Sequence, residues 1–139
     1  MARSIHDAHL IRYTVDRAAR QLRLETVLPE RDAPELTDVV FRDVVAYYFE
    51  HDSFELGTIL FSIDEDDGAS LVDDYPNLFE AGRAYGWPGD WNRSQAEAKA
   101  HIASANLRAF LVCSSIGLGG WVLAGAVELV PHDPDEGTG

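Results

Sequence analysis

Ala109-Phe-Leu-Val-Cys-Ser-Ser-Ile-Gly-Leu-Gly-Gly-Trp-Val-Leu-Ala-Gly-Ala-Val127 is a run of nineteen residues without a charge, the length of a membrane span. Its composition argues for strands instead. Gly117, Gly119 and Gly120 interrupt the middle, and Cys113, Ser114 and Ser115 dilute the first half. Arg108 and Glu128 close the ends, and neither flank is a basic cluster. Two buried strands, Leu107–Ser115 and Trp121–Val130, joined by a glycine-rich turn, account for the run. Glycines at a hairpin apex supply the positive φ that such a turn needs. The same segment fails as a phosphate loop, because it lacks the Lys-Ser/Thr ending and a following helix. Ser114 and Ser115 likewise lack the strand-turn-helix elbow of a nucleophilic serine.

Upstream, the period of two continues. Ile11, Tyr13 and Val15 alternate with Arg12, Thr14 and Asp16, and Leu22, Leu24 and Leu28 lie opposite Arg23 and Glu25. With Arg17–Arg20 between them, these runs predict a β-hairpin. Val39–Phe49 reads as one central strand with two apolar faces, interrupted by Asp43. Asp43 is either paired with Arg12, Arg23 or Arg108, or turned outward by a β-bulge. Thr58–Ile63 is a further strand, and Asp64-Glu65-Asp66-Asp67-Gly68 is expected to end it in a turn. Between 69 and 104, Pro76 at a first helical position and the capping box Ser94-Gln-Ala-Glu97 predict one or two short helices inserted before the last hairpin. The expected fold is α+β: a mainly antiparallel sheet, or sandwich, of about six strands. One domain covers residues 1–131, followed by a flexible acidic tail over 132–139.

The net charge is −13 and unevenly placed. From Asp43 to Gly82 there are eleven Asp and Glu and no Lys or Arg. Such a surface repels phosphate backbones and anionic membranes, so nucleic acid and membrane are excluded as partners. A basic protein is the complementary partner. The acidic residues outside the apolar strand, Glu50, Asp52, Glu55, Asp64, Glu65, Asp66, Asp67, Asp73 and Asp74, are the candidate binding face. The single cysteine, Cys113, permits no internal disulfide and reads as a small buried hydrophobe. The start lacks the apolar core of a signal peptide, which makes cytoplasm the expected location.

No catalytic signature emerges and no motif requires a cofactor. His6, Asp7 and His9, completed by His51 and Asp52, are an alternative metal set, since Zn²⁺ takes imidazole and carboxylate. An extended strand, however, points His6 and His9 to opposite faces. The acidic run starting at Asp64 fails as a Ca²⁺ loop, because its twelfth position is Tyr75.

The order of segments carries a resemblance across residues 5–130. His6-Asp7-Ala8-His9-Leu10 comes first, then Val40-Phe41-Arg42-Asp43-Val44, then Ile59-Leu-Phe-Ser-Ile-Asp-Glu65, and last Ser114-Ser-Ile-Gly-Leu-Gly-Gly-Trp-Val-Leu-Ala124. It resembles a loosely defined family of small bacterial proteins without an assigned activity, similar to immunity proteins of polymorphic toxin systems. The resemblance implies a partner that is a cognate toxin, and it carries no catalytic residue. Three functions are therefore weighed: an acidic protein-binding module neutralising a basic toxin, a metal-dependent hydrolase using the His/Asp set, and a structural or oligomeric module, homodimeric included, without a ligand.

Overall fold

The computed structural model describes residues 4–29 and 33–133. These form strands β1 (His9–Asp16), β2 (Gln21–Leu28), β3 (Glu35–Arg42), β4 (Ala46–Glu50), β5 (Ile59–Asp67), β6 (Arg108–Ile116), β7 (Gly119–Ala124) and β8 (Ala126–Pro131). Helices α1 (Ser70–Asp74), α2 (Pro76–Gly82) and α3 (Gln95–Ser104) lie between β5 and β6, with a 3₁₀ turn over Arg83–Tyr85. All the strand pairings are antiparallel, in the order β4-β7-β6-β5-β1-β2-β3-β8. The α+β class and the antiparallel sheet agree with the sequence. The described residues, however, form eight strands rather than about six, and three helices rather than one or two.

The extra strands have a local cause. Asp43 takes φ 55°, which breaks the apolar run Val39–Phe49 into β3 and β4. Gly125 breaks Trp121–Val130 into β7 and β8. The two breaks face each other: the Gly125 N–H donates to the Arg42 carbonyl at 3.0 Å. Arg42 pairs with Ala126 and Ala46 with Leu123, so β3–β4 runs beside β8–β7 as one bent antiparallel pair. β4 and β8 are opposite ends of the strand order, yet each continues directly from a strand near the other end. The sheet therefore curls into a barrel-like wall of six long runs, two of which turn a corner. Phe41 on β3 and Phe110 on β6 stand four places apart in the order, but their ring centroids are 5.8 Å apart across the interior.

Alternation along the strands sends Leu22, Leu24, Val39, Phe41, Phe110 and Val122 into that interior, where Ile5 and Ala8 join them. A second apolar layer lies outside the wall. Leu71, Val72, Phe79, Ala98 and Ile102 of the helices pack on Ala46, Ala109, Trp121 and Leu123 of β4, β6 and β7. Trp121 is the pivot of this layer, stacked on Phe79 at 6.2 Å and Tyr48 at 6.2 Å. Pro76 occupies the start of α2, and Ser94 Oγ caps α3 by accepting from the Glu97 N–H at 3.1 Å. The β6–β7 hairpin turns at Gly117, φ 89°, where a Cβ would collide with the Gly57 carbonyl and Thr58 Oγ1. This hairpin resolves the nineteen-residue run, and no helix among the described residues is long and apolar enough to cross a membrane.

One further local expectation is corrected, and one open alternative is decided. Asp64–Asp67 is not a turn: β5 continues through Asp67, paired from Asp64↔Leu111 to Asp67↔Arg108. Asp43 is exposed, turned outward at the corner. The arginines considered for it serve other carboxylates: Arg12 meets Glu25, Arg23 meets Asp38 and Arg108 meets Glu65. His132 is tied down, its N–H donating to the Leu36 carbonyl at 3.2 Å. The rest of the expected tail, 134–139, lies outside the described residues.

Candidate functional site

The acidic candidates separate by local geometry. Register places Tyr48 beside Trp121, Trp121 beside Leu111, and Leu111 beside Asp64, in one row across β4, β7, β6 and β5. Glu50 lies two residues on from Tyr48, on the same face. Tyr75, between α1 and α2, lays its ring 6.4 Å from Tyr48 and 6.0 Å from Trp121. Its hydroxyl is pushed above the ordinary phenol range, first by burial and then by the carboxylates of Glu50 and Asp74. Cys113, half-buried rather than buried, holds Sγ 3.7 Å from Asp64 Oδ2 and also acts on Tyr75. Glu50 and Asp74 thus lie by Tyr75, which sits beside Tyr48, while Asp64 lies by Cys113 farther along the same row; the three come from separate stretches of chain.

The remaining acids do other things. Asp73 accepts from Lys99 Nζ at 2.8 and 3.1 Å and from Gln95 Nε2 at 3.0 Å. Glu65 meets Arg108 Nε at 3.1 Å. Asp66 Oδ1 and Asp67 Oδ1 accept from the N–H groups of Asp67 and Ala69, which shapes the passage into α1. Asp52 and Glu55 are exposed in the 51–58 connection, and Asp52 pushes the Tyr13 hydroxyl up, after the larger effect of burial.

The His/Asp metal set does not assemble. His6 rests edge-on against Phe61 at 5.1 Å, with Nδ1 3.3 Å from the Phe61 carbonyl, and Nε2 lies 3.5 Å from Asp7. Asp7 and His51 adopt positive φ, at 66° and 65°. Among the described residues the group with metal-ligand spacing is a different one, Glu25, Asp38 and His132. Glu25 and Asp38 are direct cross-strand neighbours on β2 and β3. His132 Nδ1 stands 3.1 Å from both Asp38 oxygens and 3.6 Å from Glu25 Oε1. Both carboxylates also meet guanidinium groups: Arg23 Nη1 lies 2.7 Å from Asp38 Oδ2, and Arg12 Nε lies 3.3 Å from Glu25 Oε2. Two guanidinium groups already supply the positive charge a cation would bring, so the arrangement reads as an ion-pair ladder across β1, β2, β3 and the segment after β8. The sequence reading missed it. Its signal was the polar pair Arg23 and Asp38, each set among apolar strand residues.

Comparison of the chain with protein-family models, curated proteins and solved structures finds no match.

Proposed function

We propose that this chain is a protein-binding module that docks a basic protein on the face formed by Glu50, Asp64 and Asp74 around Tyr48 and Tyr75. The carrying observation is that arrangement: carboxylates from β4 and α1 act on Tyr75, which sits with Tyr48 over Trp121, and Asp64 of β5 stands farther along the same strand row beside Cys113. Tyrosine offers contact area with little entropy loss on binding, and a rim of one sign steers a partner of the other. The absence of Lys and Arg from Asp43 to Gly82 extends the same field over the neighbouring surface. With the resemblance drawn from the segment order, the finer reading is an immunity-type protein that works in the cytoplasm and masks the basic groove of a toxin.

The test is capture from native lysate at low and high salt, using the wild-type chain and a Glu50→Lys/Asp64→Lys/Asp74→Lys variant. A basic partner lost both by added salt and by the variant supports the reading. Equal recovery by the folded variant sinks it.

A further inference from the structure

The wall of the barrel is incomplete beside β1. β1 pairs with β2 from His9 to Asp16, with a bulge at Ile11, but with β5 only at His9↔Ile59. Flanking backbone bonds, Leu10 N–H to Thr58 O at 3.0 Å and Leu60 N–H to Ala8 O at 2.8 Å, end the contact there. The chain before β5 turns away at Gly57, φ 68°. Among the described residues, then, no strand occupies the place beside Ile11–Asp16 that a longer β5 would fill. Two grooves lie along it. One, of about 500 Å³, is bounded by Ile11, Tyr13, Asp52 and Phe54; the other, of about 590 Å³, by Val15, Arg17, Arg20 and Tyr47. Tyr13 meets Phe49 edge-on at 5.6 Å between them. The rim is apolar and open: Ile11 is 49% exposed, and Phe54 and Leu56 stand out from the surface. Exposed strand edges with apolar pockets are templates for strand addition.

We infer that this split is a strand-acceptor site for an extended segment of a different protein. The segment lies antiparallel to β1 and carries a cation toward Asp52 and an acid toward Arg17 and Arg20. The direction follows from β5, which is antiparallel to β1 where the two pair. The end charges follow from Asp52 in the first groove, whose Arg12 is held by Glu25, and from Arg17 and Arg20 in the second, where Asp16 accepts from the Ala19 N–H. A second copy is the poorer occupant, because it brings −13 against −13. The inference rests on reading the chain as a protein-binding module and names how part of the partner is held.

The probe is the blocked peptide Glu-Val-Thr-Val-Thr-Val-Lys, titrated into ¹⁵N-labelled full chain. Its side chains carry no net charge, so its binding does not depend on attraction to the acidic face. Saturable amide shifts should centre on residues 11–16 and 52–58. A counterpart with proline at the central valine should bind at least about tenfold more weakly, since proline cannot complete the ladder. The exposed substitution Asp52→Lys should weaken the peptide and favour the counterpart Glu-Val-Thr-Val-Thr-Val-Glu, whose second acid then meets the introduced cation while its first still faces Arg17 and Arg20. Equal binding of the proline counterpart, no saturable shift, or shifts centred on Asp64 and Asp74 would each overturn strand addition. None of these outcomes touches the charge-reversal test of the acidic face, so the two readings fail separately.

Discussion

Arg23 on β2 places Nη1 2.7 Å from Oδ2 of Asp38 on β3, and Asp38 is 1% exposed. The pair is diagonal across the strands, with Glu25 directly opposite Asp38. Removing one partner of a buried ion pair leaves an uncompensated charge, which costs about 3–5 kcal/mol. Arg23→Ala or Asp38→Ala should therefore lower the urea midpoint severely. The double change Arg23→Met/Asp38→Leu should recover much of that loss, because no charge is then stranded. A double variant as unstable as the worse single one would show that the pair is not the source.

Trp121 makes a second prediction. It is fully buried among Phe79, Tyr48, Tyr75 and Trp87, and its Nε1 has no hydrogen-bond partner among the described residues. Its value is therefore volume and ring contact. Trp121→Ala should cost about 3–5 kcal/mol in chemical denaturation. Trp121→Phe should cost distinctly less, since no hydrogen bond is lost.

The tyrosine cluster is testable by titration. The folded Tyr75 hydroxyl ionises above its ordinary value, so the stability this contributes is fully present below the unfolded phenol pKa. It is lost as pH rises through the folded value. In ¹³Cζ-tyrosine spectra, Glu50→Gln and Asp74→Asn should each move the Tyr75 midpoint downward. Burial, the larger cause, should keep it above the ordinary range in both variants. Unchanged midpoints would remove the two carboxylates from Tyr75 and dissolve the proposed face.

Asp73 shifts the other way. The hydrogen bond from Lys99 is the main cause holding its carboxyl below 3.8, with Gln95 adding to it. Its contribution is present above the unfolded value and fades as pH falls through the folded one. Lys99→Met should raise the Asp73 midpoint in carboxyl-carbon NMR and leave thermal stability near neutral pH almost unchanged, because the pair is exposed.

Much of the fold was legible where side chains alternate. The β1–β2 hairpin, the turn at Gly117, the start of α2 at Pro76 and the Ser94 cap all follow from local chemistry. The corners were not. Asp43 in a left-handed conformation and Gly125 opposite it matter through each other, and residues 82 positions apart in the chain give no local sign of meeting. The same limit hid the ladder: Asp38 and His132 become neighbours only because β8 pairs with β3. At the candidate face, charge density flagged Glu50, Asp64 and Asp74. Strand register separated Asp64 from Glu65, and the reach of Lys99 from α3 to α1 separated Asp74 from Asp73; Glu65 and Asp73 have basic partners within the chain.

The bent pair that closes the wall also bears on how fast this chain folds. The β1–β2 and β6–β7 hairpins join neighbours in sequence and can form early. This seam forms only when Arg42 finds Ala126 and Thr37 finds Pro131, with the helical segment lying between them in the chain. That search runs across most of the chain for every ladder bond on the seam. Folding dominated by such distant pairings takes on the order of milliseconds to seconds. Until that seam closes, the apolar strand Val39–Phe41 stays unpaired on one side, so the interval before closure is when a newly made chain is most open to aggregation.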